Sequence, residues 1–268
     1  METDTKTSRK TRRSSLLTKQ MEFRIPKGWQ ELTQGQLRYV ISLYNIYDGR
    51  EDMMQMIAMA ALFHFMGCRV DSETKDGILC YRVSTGETFL LNPEFLPDMI
   101  TTVEWVKRPN EMRCRLAVLH HCEAVSFDLR DLVFGEYLVC ENYYQAWMLS
   151  HDWTKLSPML DTLYHVPDGG KMVKTQFDYV SVAMWWTAVK DYFGQLFPHF
   201  YRRTGEGEEI TQDVLREYTD AQIRLLTKGD VTKEEYILNK TTTLRALTEL
   251  DAQARESEEL KRIMQKNK

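Results

Sequence analysis

The chain has 268 residues, 43% of them hydrophobic and 28% charged, with a formal net charge of −4. That length holds one large domain or two modest ones, and the composition is that of an ordinary globular protein. So mild a charge excludes a molecule that is basic all over and coats nucleic acid. Five cysteines (Cys68, Cys80, Cys114, Cys122 and Cys140) show no paired short spacings, and no apolar leader follows the polar start. Reduced thiols in a cytoplasmic, or virion-associated, protein are therefore expected.

Residues 1–20 carry Lys6, Arg9, Lys10, Arg12, Arg13 and Lys19 against Glu2 and Asp4. They read as a disordered basic arm, either solvated or in non-specific contact with nucleic acid through phosphate neutralisation. Alternation over 21–25 predicts a short strand, ended by Pro26-Lys27-Gly28. Thr33 and Gln36 then form a capping box, with Leu32 and Leu37 as a hydrophobic staple. The helix they start should run to about Tyr47, bury Leu37, Val40, Ile41 and Tyr44, and stop at Asp48-Gly49. A second helix over 51–66 is apolar nearly all round and should lie in the core, its methionines packed. His64, between Phe63 and Phe65, reads as a packed side chain and not a ligand.

The period then changes. Runs at 78–84 and 87–91 predict a hairpin around Thr85-Gly86, preceded by a turn at Asp76-Gly77. Asn92-Pro93 opens a helical stretch through Trp105, kinked at Pro97, and Arg108-Pro109-Asn110 breaks it. From Met112 a short strand or helix and a turn lead into a helix near 135–149. Its buried face should comprise Tyr137, Leu138, Tyr144, Ala146, Trp147 and Met148. A short helix at 156–164 and a Pro/Gly linker at 166–170 follow. The 21-residue stretch 177–197 is rich in aromatics. As a membrane span it would carry Asp178, Lys190 and Asp191, each costing about 2.5–3.5 kcal/mol at the bilayer centre. Val182, Trp185, Trp186, Val189, Phe193, Leu196 and Phe197 recur at helical spacing, with Ser181, Lys190 and Asp191 off that stripe. An amphipathic core helix is predicted, and no membrane contact.

After Pro198 the composition turns polar. A hinge at 204–209 precedes a helix at 213–228, a break at Gly229-Asp230, and a second capping box, Thr232 with Glu235. A long helix should then run towards Met264. Glu256, Glu258 and Glu259 precede Lys261 and Arg262, spacings that give intrahelical ion pairs of about 0.2–0.5 kcal/mol each. Its thin stripe (Leu244, Leu247, Leu250, Ala254, Leu260, Met264) points to docking or to homo-oligomerisation, or equally to a frayed, solvated end. The expected fold is mainly α (α+β): a basic arm at 1–20, a helical core domain with a small antiparallel hairpin at 21–203, and a charged helical appendage at 204–268.

Few residues invite chemistry. Cys114 with His120, His121 and Cys122 is the densest cluster of metal-ligand types, yet its spacing fits no paired zinc pattern. Adjacent positions of a strand also point to opposite faces. Gly205-x-Gly207 lacks the Lys-Ser/Thr of a phosphate loop and is flanked by glutamates. Asp128 and Asp131 read as capping or surface carboxylates, and Cys140 as a buried thiol with nothing basic beside it. Asn239-Lys240-Thr241 is a glycosylation sequon of no consequence in the cytoplasm. No catalytic, cofactor-binding or metal site is expected.

Several phrases nevertheless stand together: IPKGWQELTQGQL (25–37), VFGEYLVCENYYQAWMLS (133–150), LDTLYHVP (160–167) and FGQLFPHFYRR (193–203). The ending IRLLTKGDVTKEEYIL with TLRALTELDAQARE, within 223–256, completes the set. Together they resemble a group of proteins from phages and prophages of gut Bacteroidales, over roughly residues 21–260. The resemblance implies a structural or assembly role, similar to that of tail assembly chaperones, which coat a tape-measure protein. It would then have a phage tail protein as partner, no active site, and no functional residue carried over.

Overall fold

The computed structural model describes residues 23–165, 172–201 and 211–266. The basic arm at 1–20, the linker at 166–170 and the hinge at 204–209 lie outside them. The fold is mainly α with two small antiparallel sheets. No helix among the described residues is long and apolar enough to cross a membrane.

Helix α1 (Gln34–Ile46) starts as its sequence dictates. Thr33 Oγ1 accepts from Gln36 N (3.2 Å) and Gln36 Oε1 from Thr33 N (3.0 Å). Leu37, Val40, Ile41 and Tyr44 are buried. Asp48 and Gly49, both at positive φ, end the segment. A short 3-10 turn, Glu51–Met53, leads into α2 (Met54–Phe65), which buries Ile57, Ala58, Ala61 and Leu62. The methionine expectation is corrected. Met66 is buried, but Met53, Met54 and Met59 are only partly covered and Met56 is exposed. The helix packs on its alanines and leucines and leaves the thioethers at the margin. His64 is packed as expected, stacked on Tyr39 at 3.8 Å between ring centroids.

The predicted hairpin exists and is larger. β1 (Cys68–Thr74), β2 (Gly77–Arg82) and β3 (Thr88–Leu91) form an antiparallel meander in that order, with a register shift between Val70 and Ser72. β1 escaped the sequence reading because only Cys68 in it is buried, so it shows no alternation. Gly77 is obligatory at the β1–β2 tip. Its φ is +144°, and a Cβ there would lie 2.6 Å from the Leu91 carbonyl oxygen. By contrast, Phe23–Ile25 forms no strand, and Phe23 instead packs its ring on Phe89 of β3 (5.9 Å between centroids).

Beyond the sheet, Asn92 Oδ1 accepts from Glu94 N (2.9 Å) and starts a 3-10 turn that runs into α3 (Leu96–Thr101). Pro97 sits in the first turn of α3, where a missing N–H costs nothing, so no kink results. A second sheet joins β4 (Val118–Leu119), β5 (Cys122–Ala124) and β6 (Tyr164–His165). Against it pack α5 (Ser157–Leu163) and α6 (Gln176–Leu196), and α4 (Phe134–Ser150) packs on α5. On α4, Tyr137, Leu138 and Tyr144 are buried as expected, but Ala146 and Trp147 are only partly so and Met148 is exposed.

Helix α6 is the centre of the molecule and is less amphipathic than its sequence implies. Val182, Trp185, Trp186, Ala188, Val189 and Phe193 are buried, but so are Asp178 and Ser181, while Leu196 is exposed. α6 is covered by α1, α5 and the turns at Pro109–Glu111 and Trp153–Leu156, so little of its circumference is left for solvent.

The C-terminal segment consists of α7 (Gln212–Thr227), α8 (Glu234–Lys240) and α9 (Thr243–Lys266). The expected single long helix is broken at Thr241-Thr242. There Phe134 N donates to Thr241 O (2.9 Å), Thr243 N to Leu132 O (2.9 Å), and Val133 bridges Thr242. The expected Thr232–Glu235 capping box does not form. Asp230 instead caps the turn before α8, accepting from Thr232 N (3.1 Å) and Oγ1 (2.6 Å). Nor does the segment hang from the core. Ala246, Leu247 and Leu250 belong to the same apolar cluster as Trp186 and Phe193, and Asp251 accepts from His199 N and Phe200 N. Gly135 lets α8 sit this close to α4, since a Cβ there would lie 2.9 Å from the Leu238 carbonyl oxygen.

Candidate functional site

His120 and His121 are not strand residues. Both take positive φ (46° and 69°) as the two-residue turn between β4 and β5, a conformation that favours Asn-Gly. His120 is held in it by a bond from Nε2 to the buried Asp178 carboxylate (2.9 Å). Asp178 Oδ2 also accepts from Thr175 N (2.7 Å) and Thr175 Oγ1 (2.8 Å), so it both caps α6 and anchors the β4–β5 turn. Cys122 Sγ turns back to the His120 carbonyl. Cys114 lies against Trp29 O (3.3 Å), its thiol pushed up to about 12 by burial. Among the described residues, no group of three His, Cys, Asp or Glu side chains is placed to hold a metal ion.

Burial also raises the Cys140 thiol well above its ordinary value and raises Cys68 and Cys80. Thiols kept protonated in this way are poor nucleophiles. Asp128 pairs with its neighbour Arg130, and Asp131 accepts from Ser126 N (2.9 Å), so the two carboxylates serve separate turns. Gly205 and Gly207 lie outside the described residues. Asn239 sits in the last turn of α8.

Sequence reasoning missed one buried polar group. Glu141 on α4 and Lys190 on α6 form an ion pair. Glu141 also accepts from Gln145 Nε2 (2.7 Å) and Trp186 Nε1 (3.0 Å). Burial pushes the Glu141 carboxyl up, but the Lys190 charge and these hydrogen bonds outweigh it, leaving its pKa below the ordinary value. Nearby, Tyr137 and Tyr201 share a hydroxyl contact of 2.5 Å, both pKa values raised chiefly by burial. A signal was present. Glu141 and Lys190 are opposite charges set among the largely aromatic and aliphatic residues of α4 and α6, where a charge taken out of water needs a partner. Glu141 of α4 thus holds both Trp186 and Lys190 of α6, which makes it a clamp between the two helices.

Among the concavities of the described residues, two concern the aromatic rings and the C-terminal helices. A cleft of about 470 Å³ is lined by Tyr44, Trp147, Trp153 and Met184, with Asp48 and His151. Trp147 packs on both Tyr144 (5.4 Å) and Trp153 (4.9 Å), and the Tyr44 hydroxyl donates to Val106 O (2.8 Å). The rings are therefore committed to each other, and the cleft suits an apolar side chain. A shallower groove between α7 and α9 is lined by Ala221, Leu225, Arg224, Lys228, Glu249, Gln253 and Glu256.

That groove continues into an exposed stripe. On α9, Leu260, Ile263 and Met264 are 57%, 50% and 65% exposed, and on α7 and α8 Tyr218, Leu225 and Tyr236 are exposed as well. The expected intrahelical pairing is also partly replaced, since Glu258 reaches His199 Nδ1 (3.3 Å). α9 is thus an amphipathic helix buried at its first half and exposed at its second. Compared with known proteins, the chain matches no family model, no curated protein and no solved structure.

Proposed function

We propose that this is a non-enzymatic assembly protein that binds protein partners through its C-terminal helical layer, in the manner of a phage tail assembly chaperone. The observation that carries the reading is α9. Its first half is locked into the core by Thr243, Leu247 and Leu250, while its second half presents Leu260, Ile263 and Met264 to solvent. A rigid base with an uncovered apolar stripe can engage a long helical partner such as a tape-measure protein without ordering cost at the base. The resemblance of 25–37, 133–150 and 223–256 to phage and prophage proteins supports the same reading.

The test is quantitative mass spectrometry of purified particles and of the lysate that produced them. A transient chaperone is abundant in the lysate and missing from particles, and a structural part keeps a fixed copy number in particles. A chain that co-purifies with no particle protein in either fraction would overturn the proposal.

A further inference from the structure

The exposed stripe of α9 has a definite period. Glu249, Gln253, Glu256, Leu260 and Ile263 are spaced four, three, four and three residues apart. This is the spacing of a two-helix seam, apolar at Leu260 and Ile263, and it lies about a third of a turn round the helix from the face buried by Leu247 and Leu250. Charge is segregated along it. Residues 249–259 hold Glu249, Asp251, Glu256, Glu258 and Glu259 against Arg255, and residues 260–266 hold Lys261, Arg262 and Lys266 with no acid.

We propose that two copies of this chain pair antiparallel through residues 255–266 of α9, so that the first partner of this exposed surface is the chain itself. The proposal deepens the partner-binding reading and rests on it. Antiparallel pairing about a two-fold axis seats Leu260 of each copy on Ile263 of the other. It also brings Glu259, which flanks the seam, beside Lys266 of the other copy, twice. Parallel pairing is disfavoured because it sets Glu256 against Glu256. All of Glu256, Glu259, Leu260, Ile263 and Lys266 are exposed, so the pair forms without unfolding anything. The overlap covers little more than three helical turns and buries less than the roughly 1,000 Å² of a stable interface. The association is accordingly weak and reversible, as a surface that must later yield to another helix requires.

The test uses full-length protein in sedimentation velocity from about 10 µM to about 1 mM, the range in which weak pairing is read. Wild type should rise from its 31.6 kDa monomer towards twice that mass. Glu259→Lys and Lys266→Glu should each weaken the pairing at least about tenfold, because two attractive contacts become repulsive. An equimolar mixture of the two variants should associate at least as tightly as wild type, and the double variant should recover. Leu260→Glu should abolish pairing altogether. Circular dichroism and the thermal transition confirm that each variant is folded, as expected for substitutions at exposed positions. Three outcomes overturn the proposal: wild type monomeric throughout, variants that associate like wild type, or a mixture that stays monomeric. A protein that is monomeric throughout yet co-purifies with a particle protein removes the self-pairing and leaves the partner-binding reading standing.

Discussion

Replacing Lys190 by Met tests whether the Glu141 clamp holds α4 to α6. The substitution keeps the length of the side chain and removes its charge, leaving Glu141 with the Gln145 and Trp186 donors alone. The Glu141 side chain is 20% exposed and that of Lys190 28%. Breaking a fully buried pair from one side costs about 3–5 kcal/mol, and partial exposure reduces this to about 2–3 kcal/mol here. For a chain of this size that is a fall in Tm of about 5–10 °C.

The pH dependence carries a sign. In the wild type Glu141 titrates below its ordinary value, so its contribution is present above the unfolded pKa and is lost as pH falls through the folded one. In the variant the Lys190 charge no longer offsets burial and only the Gln145 and Trp186 hydrogen bonds do, so the carboxyl titrates higher than in the wild type. The deficit relative to wild type should therefore be largest near neutral pH and should shrink as pH falls towards about 4, because the variant takes up its proton at a higher pH than the wild type does. Urea unfolding followed by tryptophan fluorescence at both pH values measures it. Adding Glu141→Gln should restore most of the loss, because no buried charge is then left unpaired. A deficit that is equal at both pH values, or that the second substitution deepens, would refute the argument.

Four further outcomes follow from the packing and the charge pattern. Leu247→Ala should cost about 2–5 kcal/mol in the single main transition, whereas Leu260→Ala should stay within about 0.5 kcal/mol. If denaturation instead shows the main transition untouched by Leu247→Ala, α9 does not belong to the core. Asp178→Ala should cost about 1–3 kcal/mol in chemical denaturation, because Thr175 N and His120 lose their common acceptor. Retention of full stability would mean that solvent replaces it. Gly135→Ala should destabilise by about 1–3 kcal/mol by pushing Leu238 away, and a neutral effect would show that α8 moves freely. If the arm at 1–20 binds nucleic acid, its deletion should weaken DNA binding and flatten the salt slope, by up to about 0.9 for each phosphate that it neutralises. An unchanged slope removes the arm from any such role.

The sequence by itself determined much of what depends on neighbours three or four residues apart, though not the start of α8, where Asp230 caps in place of Thr232. Thr33 and Gln36 are enough to start α1, because each satisfies the other's backbone N–H. Thr85-Gly86 marks the β2–β3 turn, and the apolar repeat from Val182 to Phe193 marks α6, so the mainly α class with its small antiparallel sheet was readable. Only the tertiary structure decided where polar groups ended up. Asp178 and Ser181 look like the outer face of α6 until His120, 58 residues away, and the rest of the core close over them. His120 and His121 read as alternating strand positions until the short β4–β5 ladder places them in a left-handed turn. The break before α9 has no local cause either. Thr243 begins a new helix because Leu132, 111 residues earlier, offers a carbonyl to its hydroxyl. Such partners carry no spacing that a linear reading can detect, since only loop closure during folding brings them within hydrogen-bond reach.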